Sequence, residues 1–197
     1  MQMRSPSAAK SLYRKIWPHR NQIRNSVIKP CDVFINHRGI DTKRTISGLL
    51  YDDLSRLGLN PFLDSKNLQA GDRLFDKINK AIADCKVGVA VFSPTYCDSY
   101  FCLHELAMFM ETKKKVIPIF YDVKPSQLHV KDNGSCPVND LERFKYALEE
   151  AKHTVGLTFN TDYGNWSEFL TTATHVILKI LTELDGEAIS KTRKYIS

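Results

Sequence analysis

Residues 87–113 read Val-Gly-Val-Ala-Val-Phe-Ser-Pro-Thr-Tyr-Cys-Asp-Ser-Tyr-Phe-Cys-Leu-His-Glu-Leu-Ala-Met-Phe-Met-Glu-Thr-Lys. The run Val87 to Phe92 is short, apolar and β-branched, which predicts a strand buried on both faces. Pro94 ends it, and Asp98 or Ser99 is placed to cap a helix reaching about Thr112. Lys113, Lys114 and Lys115 follow, where cations suit the helix dipole. Cys102, Leu103, Leu106, Phe109 and Met110 recur at helical spacing and predict a face packed on a sheet. Phe101 and Glu105 stand four apart, one above the other near the helix start. An aromatic ring and a carboxylate are thereby placed at the carboxyl end of a strand, where open α/β sheets bind ligands.

Working outward, the same alternation repeats. Cys31 to Asn36 reads as a first strand, then His37 to Thr42 as a loop with Gly39 at its turn. A helix over about 43–57 presents Ile46, Leu49, Leu50, Leu54 and Leu57 at one period, and Gly58 ends it. Leu59 to Leu63 reads as a second strand. Residues 64–72 form a polar loop whose length suits a cover over a site. A helix over 72–85 has Leu74, Phe75, Ile78, Ala81 and Ile82 on one face. Val116 to Tyr121 reads as a fourth strand, with Pro118 suggesting an edge position or a bulge. A helix over 138–152, a weak strand over 155–159 and a helix over 166–184 complete the order. About five strand–helix units with right-handed crossovers predict a parallel sheet covered by helices on both faces.

Composition narrows the class. Apolar residues at 43% and charged residues at 25% describe an ordinary soluble domain with a sizeable core. No apolar run approaches a membrane span, and the N-terminus lacks the apolar segment of a secretory signal. Residues 1–29 carry seven Lys and Arg and no acid, so the chain total of +6 less this +7 leaves −1 for residues 30–197. The basic balance belongs to the leader, which argues against a nucleic-acid surface on the domain. The expected organisation is a basic disordered leader (1–29), one domain (30–184) and a polar tail (185–197). A leader that is an amphipathic targeting or membrane-surface helix is the alternative. Five cysteines with no C-x-x-C pair read as reduced, intracellular, mostly packed thiols. His37, His104, His129, His153 and His175 have no partner at metal spacing and receive no chemistry, and no metal site is expected.

The motifs together resemble a known family. Asp-Val-Phe-Ile-Asn-His-Arg-Gly-Ile-Asp-Thr-Lys (32–43), Gly-Leu-Asn-Pro-Phe-Leu-Asp (58–64), Ala-Gly-Asp-Arg-Leu (70–74), Ala-Ile-Ala-Asp-Cys (81–85), Val-Ala-Val-Phe-Ser-Pro-Thr-Tyr (89–96), Cys-Leu-His-Glu-Leu (102–106) and Val-Ile-Pro-Ile-Phe-Tyr-Asp-Val-Lys-Pro-Ser (116–126) are similar to a plant Toll/interleukin-receptor (TIR) domain of the TIR-only type. The resemblance implies a flavodoxin-like three-layer sandwich. It implies cleavage of the nicotinamide–ribose bond of NAD⁺, giving nicotinamide and ADP-ribose or a cyclic isomer, in immune or cell-death signalling. NAD⁺ is then substrate, and no cofactor is expected.

The resemblance also maps the site. Glu105 is the motif's catalytic acid, and Arg38, Gly39, Ser99 and Phe101 are the substrate-binding positions. Cys102, Ala70 and Gly71 are further positions. Arg38 offers a fork for phosphates, and Phe101 a face for a base. Ser99 either caps the helix or bonds a ribose hydroxyl. One carboxylate suffices because nicotinamide leaves a pyridinium as a neutral molecule, unlike the pair that ordinary glycosides need. Four departures stand out: Phe101 where the family has Trp, Ala70 where it has a basic residue, Ile40 where it has Glu after the Arg-Gly pair, and Ser47-Gly48 where a Ser-His pair serves self-association. The resemblance implies TIR–TIR assembly and a cytoplasmic protein, with a nuclear or organellar place as alternatives. Downstream immune proteins would be reached through the nucleotide product. The competing reading is a non-catalytic adaptor, and nucleic-acid processing is a third.

Overall fold

The computed structural model describes residues 30–132 and 136–194; the leader lies outside them. Five strands, β1 (Val33–His37), β2 (Pro61–Phe62), β3 (Val87–Phe92), β4 (Lys115–Tyr121) and β5 (Leu157–Phe159), form one sheet in the order β2-β1-β3-β4-β5. Every pairing is parallel. Among the described residues seven α-helices flank the sheet: α1 (Gly39–Thr42), α2 (Ile46–Arg56), α3 (Asp64–Asn67), α4 (Leu74–Asp84), α5 (Tyr100–Glu111), α6 (Val138–Lys152) and α7 (Trp166–Lys194). This is the α/β sandwich that the strand–helix order predicts.

Period-2 alternation splits the core. Phe34 of β1 and Ala90 and Phe92 of β3 face one layer with Ile82 of α4, Leu106 and Phe109 of α5 and Phe144 of α6. Val33, Ile35, Val89 and Val91 face the other layer, with Ile46, Leu50 and Leu54 of α2 and Ala173 and Ile177 of α7. β1 and β3 are buried on both faces throughout, as the hydrophobic runs require. Gly88 is small for a packing reason. A Cβ there would lie 2.8 Å from the Phe109 ring. Gly88→Ala is expected to destabilise the fold by roughly 1–3 kcal/mol through overpacking, read as a lower chemical denaturation midpoint at unchanged slope.

Several expectations are corrected. Pro118 lies on neither an edge nor a bulge: β4 has neighbours on both sides, and Pro118 is in regular register with Ala90. It is tolerated because β5 pairs with β4 only from Ile119 onward. The 43–57 helix starts later, after the separate turn α1. Asp41 lies inside that turn, and its Oδ2 accepts from Ser93 Oγ (2.6 Å), Thr95 N (3.1 Å) and Thr95 Oγ1 (2.8 Å), tying α1 to the end of β3. Gly48 has no room for a side chain, since a Cβ would sit 2.7 Å from the Lys43 carbonyl oxygen. The Ser47-Gly48 departure from the family's Ser-His pair thus has a local reason in the tight α1–α2 turn. Leu74 and Phe75 are exposed rather than inward: they form the first turn of α4, and Ile78, Ala81 and Ile82 make its inner stripe. The last helix continues past Leu184 to Lys194. Among the described residues no helix is long and apolar enough to cross a membrane.

Candidate functional site

Glu105 points into the protein. It lies on α5, whose N-terminus follows β3, and only 7% of it is exposed. A carboxylate so placed needs a donor, and β1 supplies one. Asn36 is fully buried near the carboxyl end of β1, on the face toward α5. Its Nδ2 donates to Glu105 Oε2 at 2.6 Å and to the Cys102 carbonyl oxygen at 3.0 Å. Its Oδ1 accepts from the Tyr96 hydroxyl, which also lies 3.1 Å from the Cys102 carbonyl. Two acceptors on one side and a donor on the other fix the orientation of the amide.

Burial pushes the Glu105 carboxyl up to about 8; the Asn36 bond opposes this, and the nearby negative charge of Asp64 adds to it. Burial and the Glu105 charge push the Cys102 thiol up to about 12. Cys102 is therefore a packed thiol, its Sγ donating to the His37 carbonyl at 3.3 Å, and not a thiolate nucleophile. Tyr96 is likewise raised by burial and stays a neutral donor.

The other expected residues fall into four groups. Arg38 and Gly39 follow β1 at the same sheet edge. The Arg38 Nε atom is buried with no hydrogen-bond partner among the described residues. Ser99 is the cap of α5: its Oγ accepts from Cys102 N at 3.3 Å, and the residue is buried. Phe101 is 40% exposed, so it is not core. Ala70 and Gly71 lie in the exposed turn between α3 and α4, with Gly71 at φ +95°, the left-handed region that favours glycine. Among the described residues no hydrogen bond links them to the Glu105 network.

Three residues escape the sequence reading as parts of the site. Asn36 and Tyr96 were visible only as a polar residue closing an apolar strand and an aromatic residue after a proline. Phe75 is the third. Its ring lies 5.3 Å from that of Phe101, and His104, Tyr100 and Phe144 extend the contact across α4, α5 and α6. Phe75 thus adds ring surface beside Phe101, where the family's Trp would offer more than one phenyl ring.

A family model described as the TIR domain matches residues 31–187. A Brachypodium distachyon protein named probable 2′ cyclic ADP-D-ribose synthase BdTIR is 50% identical over 158 residues, covering 78% of this chain and 70% of that protein. The TMV resistance protein N of Nicotiana glutinosa is 36% identical over 149 residues, but the chain spans only 13% of that protein. Among solved structures, the TIR domains of the activated Roq1 resistosome superpose with a TM-score of 0.66 at 29% identity, covering 75% of this chain and 99% of that one.

Proposed function

The chain belongs to the TIR domain family, and from that premise we propose that it cleaves the nicotinamide–ribose bond of NAD⁺, with Glu105 as the catalytic carboxylate. The observation that carries this reading is a buried carboxyl pushed up to about 8, held by one designed donor, at the carboxyl end of the central strands. Such a group responds to positive charge. The pyridinium of bound NAD⁺, and then the oxocarbenium-like ribose, favour the ionised form of Glu105 as charge develops at C1. Nicotinamide departs as a neutral molecule and needs no acid. Water capturing the ribose gives ADP-ribose; another part of the same nucleotide gives a cyclic isomer. The name of the Brachypodium relative favours the cyclic product.

Arg38 would meet the diphosphate, since its buried Nε lacks a partner without a ligand. Gly39 allows close approach, Ser99 holds the start of α5, and the Phe101–Phe75 pair offers a face to a base. Glu105 is this buried, so substrate reaches it only when the site shifts. Self-association through TIR–TIR contacts would supply that shift and complete the site. The product would serve plant immune or cell-death signalling from the cytoplasm.

A second reading, the non-catalytic adaptor, draws on the exposed apolar side chains Ile40, Leu74 and Phe75 around the site. The two separate in one experiment. Purified chain at high concentration is incubated with NAD⁺ beside Glu105→Ala, and nicotinamide and nucleotide products are followed by mass. Release by the native chain alone is the expected result. Silence from a folded, assembled native chain would leave the adaptor.

A further inference from the structure

We propose that His37 is a positioning residue that moors α3 to the strand end carrying the site, and so presets substrate binding. The inference rests on the NAD⁺-cleaving reading of that site. Adjacent residues of a strand point to opposite faces. Asn36 takes one face and holds Glu105. His37 takes the other, and its side chain is 1% exposed. Its Nδ1 lies 2.9 Å from Thr42 Oγ1 of α1, and its Nε2 lies 3.1 Å from Asp64 Oδ1, the first residue of α3. A carboxylate only accepts, so Nε2 carries the hydrogen and donates it to Asp64. The His37 carbonyl meanwhile accepts from Cys102 of α5. One residue thus joins α1, α3 and α5 beside the catalytic carboxylate.

The tie is the buried one among those that hold this segment: Lys66 Nζ lies 3.6 Å from Asp52 Oδ1 and 5.7 Å from the Tyr51 ring centroid of α2, both toward solvent, and Asn67 Oδ1 accepts from Leu63 N at 2.8 Å. α3 is a single turn with no buried residue, closed by Lys66 N and Asn67 N donating to the Leu63 carbonyl (both 2.9 Å) and Leu68 N donating to the Asp64 carbonyl (2.9 Å). The exposed turn with Ala70 and Gly71 follows. Asp64 is 45% exposed, so its bond adds little to global stability. Its effect is local: it selects one placement of the α3 turn over many. Breaking it leaves a buried N–H without a partner on one side and frees the segment on the other. Substrate would then have to order that segment on binding, which raises KM and leaves the chemical step intact.

The test uses the full chain with His37→Phe, Asp64→Ala and the double variant. Hydrogen exchange read by mass should accelerate about tenfold at residues 65–68 in each single variant and no further in the double, with β3 and α7 unchanged. KM for NAD⁺ should rise about tenfold while kcat stays within about twofold. A merely structural role gives faster exchange across β1 and β3 and a lower kcat at unchanged KM, and overturns the proposal. Unaltered exchange at 65–68, or single effects that add in the double, also overturns it. If the native chain leaves NAD⁺ intact, the exchange arm still decides the mooring, and only the reading of the reaction falls.

Discussion

Glu105→Gln is expected to lower nicotinamide release by about 10²–10³-fold or more and, at the same time, to make the protein more stable at alkaline pH. Both effects have one origin. The Glu105 carboxyl sits near 4.5 when solvated and at about 8 in the fold, because burial penalises the charge more than Asn36 favours it. Between those values the folded chain holds a proton that the unfolded chain has released. Stability therefore falls as pH rises from 4.5 to 8, and the loss is complete above 8. The full shift corresponds to at most ~5 kcal/mol, less whatever the site regains by relaxing around the ion. Glutamine keeps an acceptor for Asn36 Nδ2 and carries no charge. The melting temperature of Glu105→Gln should exceed the native value by roughly 5 °C or more at pH 9 and match it within about 1 °C at pH 5. Equal shifts at both pH values would show that Glu105 is not buried as an acid. The native activity should also climb through pH 8 as the free chain's carboxyl ionises, before substrate lends its own positive charge.

How much of this was legible in the sequence depends on the range of the interaction involved. β3, α5 and the parallel order follow from local patterns, because a two-faced strand and a capped amphipathic helix are specified by neighbours in the chain. Glu105 and Phe101 were placed by the same logic. What failed to show was what depends on contacts between distant segments. Asn36 and Glu105 are 69 residues apart, and Tyr96 and Asn36 are 60 apart; their bonds exist only once β1, β3 and α5 are assembled. His37 has no metal partner in sequence, yet the fold brings Asp64 to it across 27 residues. Pro118 misled because a rule for strands in general met a strand whose second neighbour begins one residue later. Phe75 misled because helical period says which side a residue lies on, and not what the fold brings over that side, here Phe101 and His104 of α5. The residues that tune the carboxylate are therefore harder to read than the carboxylate, being ordinary side chains whose chemistry comes from where they meet.

Asn36→Leu carries the complementary prediction. Leucine fills a similar volume and removes the Nδ2 donor, the Asn36 contribution that lowers the Glu105 carboxyl against burial and Asp64. Its loss moves that carboxyl above 8, so fewer molecules carry the reactive anion at neutral pH. Nicotinamide release at pH 7.5 should fall by about 10²-fold, and its alkaline rise should move to higher pH. The Tyr96 hydroxyl keeps the Cys102 carbonyl at 3.1 Å, so the damage centres on Glu105. A buried carboxyl without its donor costs about 1–3 kcal/mol while neutral and more once ionised. The variant is therefore least stable, relative to the native chain, at high pH, where Glu105→Gln is most stable. Melting curves of both variants from pH 5 to pH 9 should diverge from the native chain in opposite directions. Curves that ran parallel would mean that Asn36 only fills space beside α5. Divergence would show that β1 contributes the donor that decides when the carboxylate of α5 is charged.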